Sequence, residues 1–195
     1  ACDAANPAAL ATLRARKHRP SKPFALMATP AMAEALCLLT EADRALLADP
    51  AAPVVLAPSR GVLPDALAPG IGTLGVMLPY TPLHNLLLDA FGGPLVMTSG
   101  NLSGEPQVIG NDEARVKLSA FADAFLMHDR DIARRLDDSV ERAAPPMILR
   151  RARGRVPGTL PLPPGFPGAQ VLATGGQMKG AIALAKGGQV LLGHH

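Results

Sequence analysis

The chain alternates helix-start signals with short apolar segments over most of its length. Asparagine or threonine followed by proline occurs at Asn6, Thr29 and Thr81. These pairs are typical of the N-cap and the first position of an α-helix. Asp112 and Glu113 favour a further helix start, because carboxylates are stabilised at a helix N-terminus. The pattern predicts helices at 8–16, 31–38, 40–48, 83–91 and 111–122.

Between these helices lie apolar runs of strand length that carry no charge. They occur at 24–28, 54–57, 74–78, 95–97, 124–127 and 147–149. Strands that are interleaved with helices along the chain indicate an α/β domain with a mixed, twisted sheet. We expect this domain to occupy residues 1–155.

The composition changes at residues 156–169, which contain five prolines and three glycines. Such a segment predicts a semi-rigid linker. After it, the runs 171–173, 181–185 and 190–192 resemble short strands separated by glycine turns. We therefore expect residues 170–195 to be the truncated start of a second domain.

The composition limits the class of protein. Hydrophobic residues make up 48% of the chain and charged residues 18%, which is typical of a globular protein. Aromatic residues are only 3%, which argues against a protein that stacks single-stranded bases. Cys2 and Cys37 have no metal-ligand spacing, so neither a disulfide framework nor a protein metal site is expected. Reduced cysteines, without a run long enough to cross a membrane, favour a cytoplasmic protein.

A basic segment follows the first predicted helix. Five cations fall within residues 14–22, and Pro20 and Pro23 favour an extended backbone there. Some cations are expected at any helix C-terminus, but this density favours phosphate binding. A second basic cluster lies at Arg150, Arg151, Arg153 and Arg155, and the two could converge on a nucleotide or form a nucleic-acid surface.

The strongest candidate for a binding site is the segment 98–104, which we call the ligand loop. Its sequence, Thr98-Ser99-Gly100-Asn101-Leu102-Ser103-Gly104, directly follows a buried strand. Hydroxyls, an amide and glycines can bring polar groups close to an anionic ligand. The alternative is a turn that only satisfies its own backbone.

The paired carboxylates of Asp137 and Asp138 allow two interpretations. They could hold a magnesium ion indirectly or order basic neighbours such as Arg134, Arg135 and Arg150, or they could form a simple capped turn. Both interpretations remain open at this point. We expect His84 to lie on the surface of a helix. We expect His128 to belong to a salt-bridged turn.

Several of these motifs together resemble the YrdC family. They are Lys17-x-Arg19-Pro20-x-Lys22-Pro23, the stretch 75–84, the ligand loop, and Asp138-Ser139-Val140 followed by Leu149-Arg150. The segments 128–132 and 150–154 are more specific and resemble the YrdC-like domain of the HypF family, the carbamoyltransferases of nickel–iron hydrogenase maturation. The segment 172–195 resembles the start of the actin-like domain that follows it in that family.

The resemblance implies a fold and an activity. The fold would be a YrdC-like twisted mixed sheet with helices, followed by the first strands of an actin-like domain. The family makes a carbamoyl-adenylate from carbamoyl phosphate and ATP, with Mg²⁺ on the ATP, and transfers the carbamoyl group to the C-terminal cysteine of its partner HypE.

The resemblance also implies roles for individual residues. Lys17 and Arg19 would contact phosphate and act in catalysis together with Ser99 and Asn101. The nucleotide-binding set would be Lys17, Arg19, Lys22, Thr98, Ser99, Asn101, Ser139 and Arg150. Two alternatives remain: a threonylcarbamoyl-adenylate synthase of tRNA modification, and an RNA-binding module without chemistry.

Overall fold

The computed structural model describes residues 1–102, 104–166, 168–175 and 180–194. Ser103 of the ligand loop, Pro167 of the predicted linker, residues 176–179 and His195 lie outside the described residues. The helices are α1 (Pro7–Arg16), α2 (Pro30–Leu36), α3 (Glu41–Leu47), α4 (Pro82–Phe91) and α5 (Asn111–Leu118), with a 3₁₀ turn at Asp65–Leu67. The strands are β1 (Cys2–Asp3), β2 (Ala25–Met27), β3 (Val54–Pro58), β4 (Thr73–Met77), β5 (Leu95–Met97), β6 (Val140–Arg142), β7 (Met147–Arg150), β8 (Thr159–Pro161), β9 (Val171–Ala173), β10 (Ala183–Lys186) and β11 (Gln189–Leu192).

The first seven strands form one mixed sheet in the order β1-β5-β2-β4-β3-β6-β7. The β2–β4 and β3–β6 pairs are parallel, and the other neighbouring pairs are antiparallel. The prediction of an α/β fold with a mixed sheet is therefore confirmed.

The predicted helix starts are also confirmed. The Asn6 side chain accepts hydrogen bonds from the backbone N–H groups of Ala8 and Ala9. The Thr29 and Thr81 hydroxyls accept from the N–H groups two residues beyond the following proline, at Met32 and His84. These contacts satisfy N–H groups that have no partner inside the helix, which is why the sequence pattern was informative.

The sheet buries a different set of residues on each face. Leu26, Val55, Val76 and Val96 are fully buried on one face, with Leu10 of α1 and Ala33 of α2. Met27, Met77 and Leu95 lie on the other face with Leu88 of α4. Because side chains of a strand alternate between faces, neighbours such as Leu26 and Met27 belong to separate cores.

The prediction of a strand at 124–127 is wrong. Among the described residues, none between 119 and 137 belongs to a helix or a strand. Phe125 and Leu126 are exposed, and the segment is attached by an ion pair in which Arg16 Nη1 lies 2.8 Å from both carboxylate oxygens of Asp123. An apolar run becomes a strand only where another strand offers backbone partners, and the short run itself carries no information about that.

The second sheet is antiparallel, with the order β8-β11-β10-β9. Three of its strands correspond to the predicted ones, but β8 lies inside the predicted Pro-rich linker. Its Thr159–Pro161 segment pairs with Leu191–Gln189 at the edge of the sheet, where a proline without an N–H group is tolerated. The linker therefore contains a short strand, and the division of the chain at residues 155 and 170 stays a prediction.

The turn after β7 is packed tightly against the end of α3 and the start of β3. Arg155 binds Glu141 at 2.7 Å and Asp49 at 2.9 Å, while Gly154 between the arginines has φ +82°. A Cβ atom at Gly154 would lie 2.5 Å from the Cα atom of Ala51. The backbones of the two segments can approach this closely only with glycine at residue 154.

We expect Gly154→Ala to destabilise the protein by about 3 kcal/mol or more. The left-handed backbone would cost about 1–2 kcal/mol for alanine, and the overlap with Ala51 would add a cost of about 1–3 kcal/mol. Gly70→Ala is the matched control, because Gly70 has φ +68° and open space around its Cβ position. Denaturant unfolding measures both; similar losses in the two variants would contradict the packing argument.

Candidate functional site

A cavity of about 370 Å³ opens beside the second face of the large sheet. Met27, Met77 and Met97 form its apolar wall, and Thr98 and Ser99 of the ligand loop line another side. The remaining walls come from residues 107–109, the segment 132–138, and Tyr80 with Arg153. The volume lies within the range of small-molecule sites.

The ligand loop is held by its own polar side chains. The Ser99 hydroxyl donates to Asn101 Oδ1 at 2.6 Å, and Asn101 Nδ2 donates to the Glu105 carbonyl at 2.8 Å. Asn101 is not among the residues that line the cavity. The turn that satisfies its own backbone therefore exists, and it also presents Thr98 and Ser99 to the cavity.

Thr98 offers an unused polar group at this cavity. Its Oγ1 atom is buried and has no hydrogen-bond partner within the described part of the chain. A buried hydroxyl without a partner is costly, so this atom is suited to a hydrogen bond with a ligand.

Lys17 connects the basic segment to the ligand loop. Its ammonium donates to the Ser99 carbonyl at 2.6 Å and lies 5.2 Å from the centre of the Phe121 ring. The residue as a whole is only 5% exposed. Burial, with a smaller contribution from the charge of Arg19, lowers the pKa of Lys17 to about 8.

Arg14 serves the fold of the basic segment. Its buried guanidinium donates to the carbonyls of Ala66, Arg19, Pro20, Lys22 and Leu67. It therefore fixes the 19–22 backbone, which bends at residues 20–22 and is not extended as the prolines predicted. Because Arg16 also pairs internally with Asp123, only part of this cationic segment remains for a ligand.

Arg19 is held by contacts within its own segment and with the Phe24 ring. Its guanidinium lies 4.7 Å from the centre of the Phe24 ring and donates to the carbonyls of Lys22 and Pro23. Burial lowers the pKa of Arg19, and repulsion from Arg14 and Arg150 lowers it further. Lys22 itself is exposed. The two basic clusters therefore come near enough at Arg19 and Arg150 for their charges to repel.

Ser139 and Arg150 lie beside the cavity without lining it. Ser139 is fully buried, and its hydroxyl donates to the Arg153 carbonyl and accepts from the Ala152 N–H group, both at 2.9 Å. Arg150 donates to the Asp138 carbonyl at 3.4 Å. In this structure Ser139 supports the turn that carries Arg153.

Arg153 and Tyr80 line the cavity, although the sequence patterns did not assign them to the site. The Arg153 guanidinium lies 3.9 Å from the centre of the Tyr80 ring and 2.8 Å from Asp138 Oδ1. His84 contacts the same Tyr80 ring edge-on at 4.5 Å. The available signal was the basic cluster around Arg153, but only the fold placed it at the cavity.

Of the basic neighbours predicted for the paired carboxylates, Arg150 lies 3.9 Å from Asp137, while Arg134 and Arg135 form no ion pair with either carboxylate within the described residues. Asp138 binds Arg153, and Asp137 accepts from Gln107 Nε2 at 2.7 Å. Within the described ranges no group of three or more histidine, cysteine or acidic residues could hold a metal ion. In the same ranges no helix is long and apolar enough to cross a membrane.

Together these features define an α/β protein with a cavity that combines an apolar wall with cationic side chains. Comparison with known proteins identifies the family. Residues 1–152 match the Sua5/YciO/YrdC family model, which is described as telomere recombination. The chain belongs to this family.

Two relatives give the range of similarity. The chain is 71% identical over 196 residues to the carbamoyltransferase HypF of Rhodobacter capsulatus, covering 100% of this chain and 26% of that protein. It is 32% identical over 155 residues to the threonylcarbamoyl-AMP synthase of Alkalilimnicola ehrlichii, covering 77% of each chain. The chain thus spans about a quarter of the length of the HypF relative.

A solved structure agrees with the first relative. Full-length HypF in its phosphate- and nucleotide-bound form matches with a TM-score of 0.90 and 41% identity, covering 99% of this chain and 31% of that one. The match includes the second sheet, which supports the expected fold beyond residue 155.

We expect the binding of a phosphate-bearing ligand, with ATP as the probe, to vary with pH through the charge of Lys17. The ammonium is charged below pH 8 and becomes neutral as the pH rises through its pKa of about 8, so attraction to phosphate weakens at alkaline pH. Bound phosphate favours the charged form and moves the loss of affinity to a somewhat higher pH. Calorimetry between pH 7.5 and 10 should show weakening affinity in the wild type.

The matched variant is Lys17→Arg, whose guanidinium stays charged over this range. Its ATP affinity should stay nearly constant with pH. An equal loss in both proteins would exclude Lys17 as the titrating group.

Proposed function

We propose that this chain is the nucleotide-binding, adenylate-forming part of a carbamoyltransferase of the HypF type. The observation that carries the proposal is the similarity to HypF over the whole chain, including the second sheet. The proposal is also supported by the cavity itself, where an apolar wall suits a nucleoside and nearby cations suit its phosphates.

In the proposed reaction, a carbamate oxygen attacks the α-phosphorus of ATP. A bond forms between that oxygen and phosphorus, the bond to the bridging oxygen of the β-phosphate breaks, and pyrophosphate leaves. The step needs charge neutralisation and alignment rather than a nucleophile from the protein. Hydrolysis of carbamoyl phosphate by water would supply the carbamate and release inorganic phosphate.

The residues of the site have separate tasks in this reaction. Lys17 and Arg19 would neutralise phosphate charge, and Lys22 and Arg150 would add to the positive potential. Thr98 and Ser99 would bind the ligand directly, while Asn101 would hold their loop in place. Ser139 would support Arg153 at the cavity wall.

The cofactor and partner follow from the same proposal. Mg²⁺ would enter with ATP as part of the substrate, since it is commonly bound through substrate phosphates and few protein groups. The carbamoyl group would pass to a HypE-like acceptor protein in the cytoplasm.

The second candidate is a threonylcarbamoyl-adenylate synthase. The observation in its favour is the 32% identity to such an enzyme over 77% of both chains. The HypF relative matches all of this chain, so the carbamoyltransferase accounts for more of it.

Isotope exchange between pyrophosphate and ATP distinguishes the two candidates. We expect carbamoyl phosphate, or carbamate supplied directly, to support exchange, and threonine with bicarbonate to give none. The Lys17→Ala, Arg19→Ala double variant should lose at least about a hundredfold in exchange rate, the scale for removing groups that stabilise developing charge. Exchange that depends on threonine would favour the second candidate, and no exchange with either substrate would contradict both.

Asn101→Ala should reduce exchange about tenfold to a hundredfold and shift stability by under about 0.5 kcal/mol. The alanine removes both contacts that hold the ligand loop, yet little core depends on that loop. Asn101→Asp is the matched variant, because it keeps the oxygen that accepts from Ser99 and loses the donor to Glu105. Thermal unfolding and exchange measure both; a collapse in melting temperature with normal exchange would show a purely structural loop.

A further inference from the structure

Two adjacent arginines that line the cavity, Arg134 and Arg135, have not been given a role in the proposed reaction. Both are exposed residues of the irregular segment between α5 and β6, and both line the cavity. They lie in the same cavity as Thr98, whose buried hydroxyl has no partner in the described part of the chain.

The positive charges of the arginines on this wall are not all balanced by carboxylates. Arg153 is neutralised by Asp138 at 2.8 Å and also donates to the Ala52 carbonyl at 2.9 Å. Asp137 accepts from Gln107 and lies 3.9 Å from Arg150. Neither Arg134 nor Arg135 forms an ion pair with a carboxylate in the described ranges, so both charges remain available at the cavity.

The backbone of residue 107 fixes one of the two side chains. Arg135 Nε donates to the Gln107 carbonyl at 2.6 Å, while the Gln107 side chain donates to Asp137. This tether uses one of five guanidinium N–H donors and leaves the terminal NH₂ groups for a ligand. Arg134 makes no hydrogen bond or ion pair with any described residue, so its whole guanidinium is available.

The remaining walls define the shape of a suitable ligand. The methionines at residues 27, 77 and 97 offer an adaptable apolar surface, and the Thr98 and Ser99 hydroxyls lie on the same cavity. A ligand with a flat apolar body and a doubly charged phosphate group would use both surfaces. Arginine is suited to that phosphate because its planar fork can donate two parallel hydrogen bonds.

We propose that Arg134 and Arg135 bind a phosphate group of the nucleotide from the cavity wall, apart from Lys17 and Arg19, which are not among the residues that line the cavity. This inference rests on the proposed nucleotide-binding function. Arg135 acts from a fixed position, and Arg134 closes on the phosphate from the same wall. The pair discriminates a nucleotide from the uncharged nucleoside that has the same base and sugar.

Binding of AMP and adenosine to this chain tests the proposal by calorimetry at constant ionic strength. The wild type should bind AMP more tightly than adenosine. Arg134→Ala should weaken AMP binding about tenfold and leave adenosine binding unchanged, since a charge-assisted hydrogen bond has about that worth. Arg134→Lys should recover part of the loss, because it restores charge without the fork.

Arg130→Ala is the matched control. Arg130 lies in the same exposed segment and is not among the cavity-lining residues, so the variant changes net charge equally. It should bind AMP like the wild type. Arg135→Ala is compared with wild type by thermal unfolding first, because it also removes the tether to Gln107.

The outcomes separate this inference from the function on which it rests. A specific loss in Arg134→Ala supports the proposal. Unchanged AMP binding in Arg134→Ala, or an equal loss in Arg130→Ala, overturns it while nucleotide binding stands. A wild-type chain that binds neither AMP nor ATP would overturn the proposed function and this inference together.

Discussion

The contact between the Lys17 ammonium and the Ser99 carbonyl organises the site, because it joins segments that lie far apart in the chain. Lys17 follows α1 and Ser99 follows β5, yet the two atoms are 2.6 Å apart. The contact keeps a charged group out of water, which the carbonyl and the Phe121 ring only partly offset. This balance leaves Lys17 with a lowered pKa and a charge that a bound anion would stabilise.

The cationic groups of this protein fall into two kinds, and the difference depends on their partners. Arg14 and Arg155 use their donors on carbonyls and carboxylates of the fold, so they hold turns in place. Arg134 has no such partner in the described part of the chain and remains available. A basic cluster in a sequence therefore overstates the charge that a ligand meets, because buried guanidinium groups are usually needed by the protein itself.

The cavity depends on the alternation of side chains in the large sheet. Leu26, Val76 and Val96 belong to one core, while Met27 and Met77 one residue later face the cavity side. Each of these strands thus contributes side chains to the core on one face of the sheet and to the cavity on the other face. The second wall has no regular structure, and it is attached through side-chain contacts such as Arg16 with Asp123 and Arg135 with Gln107.

The sequence by itself determined the helix starts, the mixed α/β class and the presence of a polar turn after β5, because capping residues, apolar runs and glycine act locally. Only the tertiary structure decided that residues 124–127 are not a strand, that Thr159–Pro161 is one, and which arginines reach the cavity. Strand pairing needs a partner from elsewhere in the chain, and the use of a charge depends on neighbours that are distant in sequence. Arg134 and Arg153 are both arginines of basic segments, and their different surroundings arise only when the chain folds.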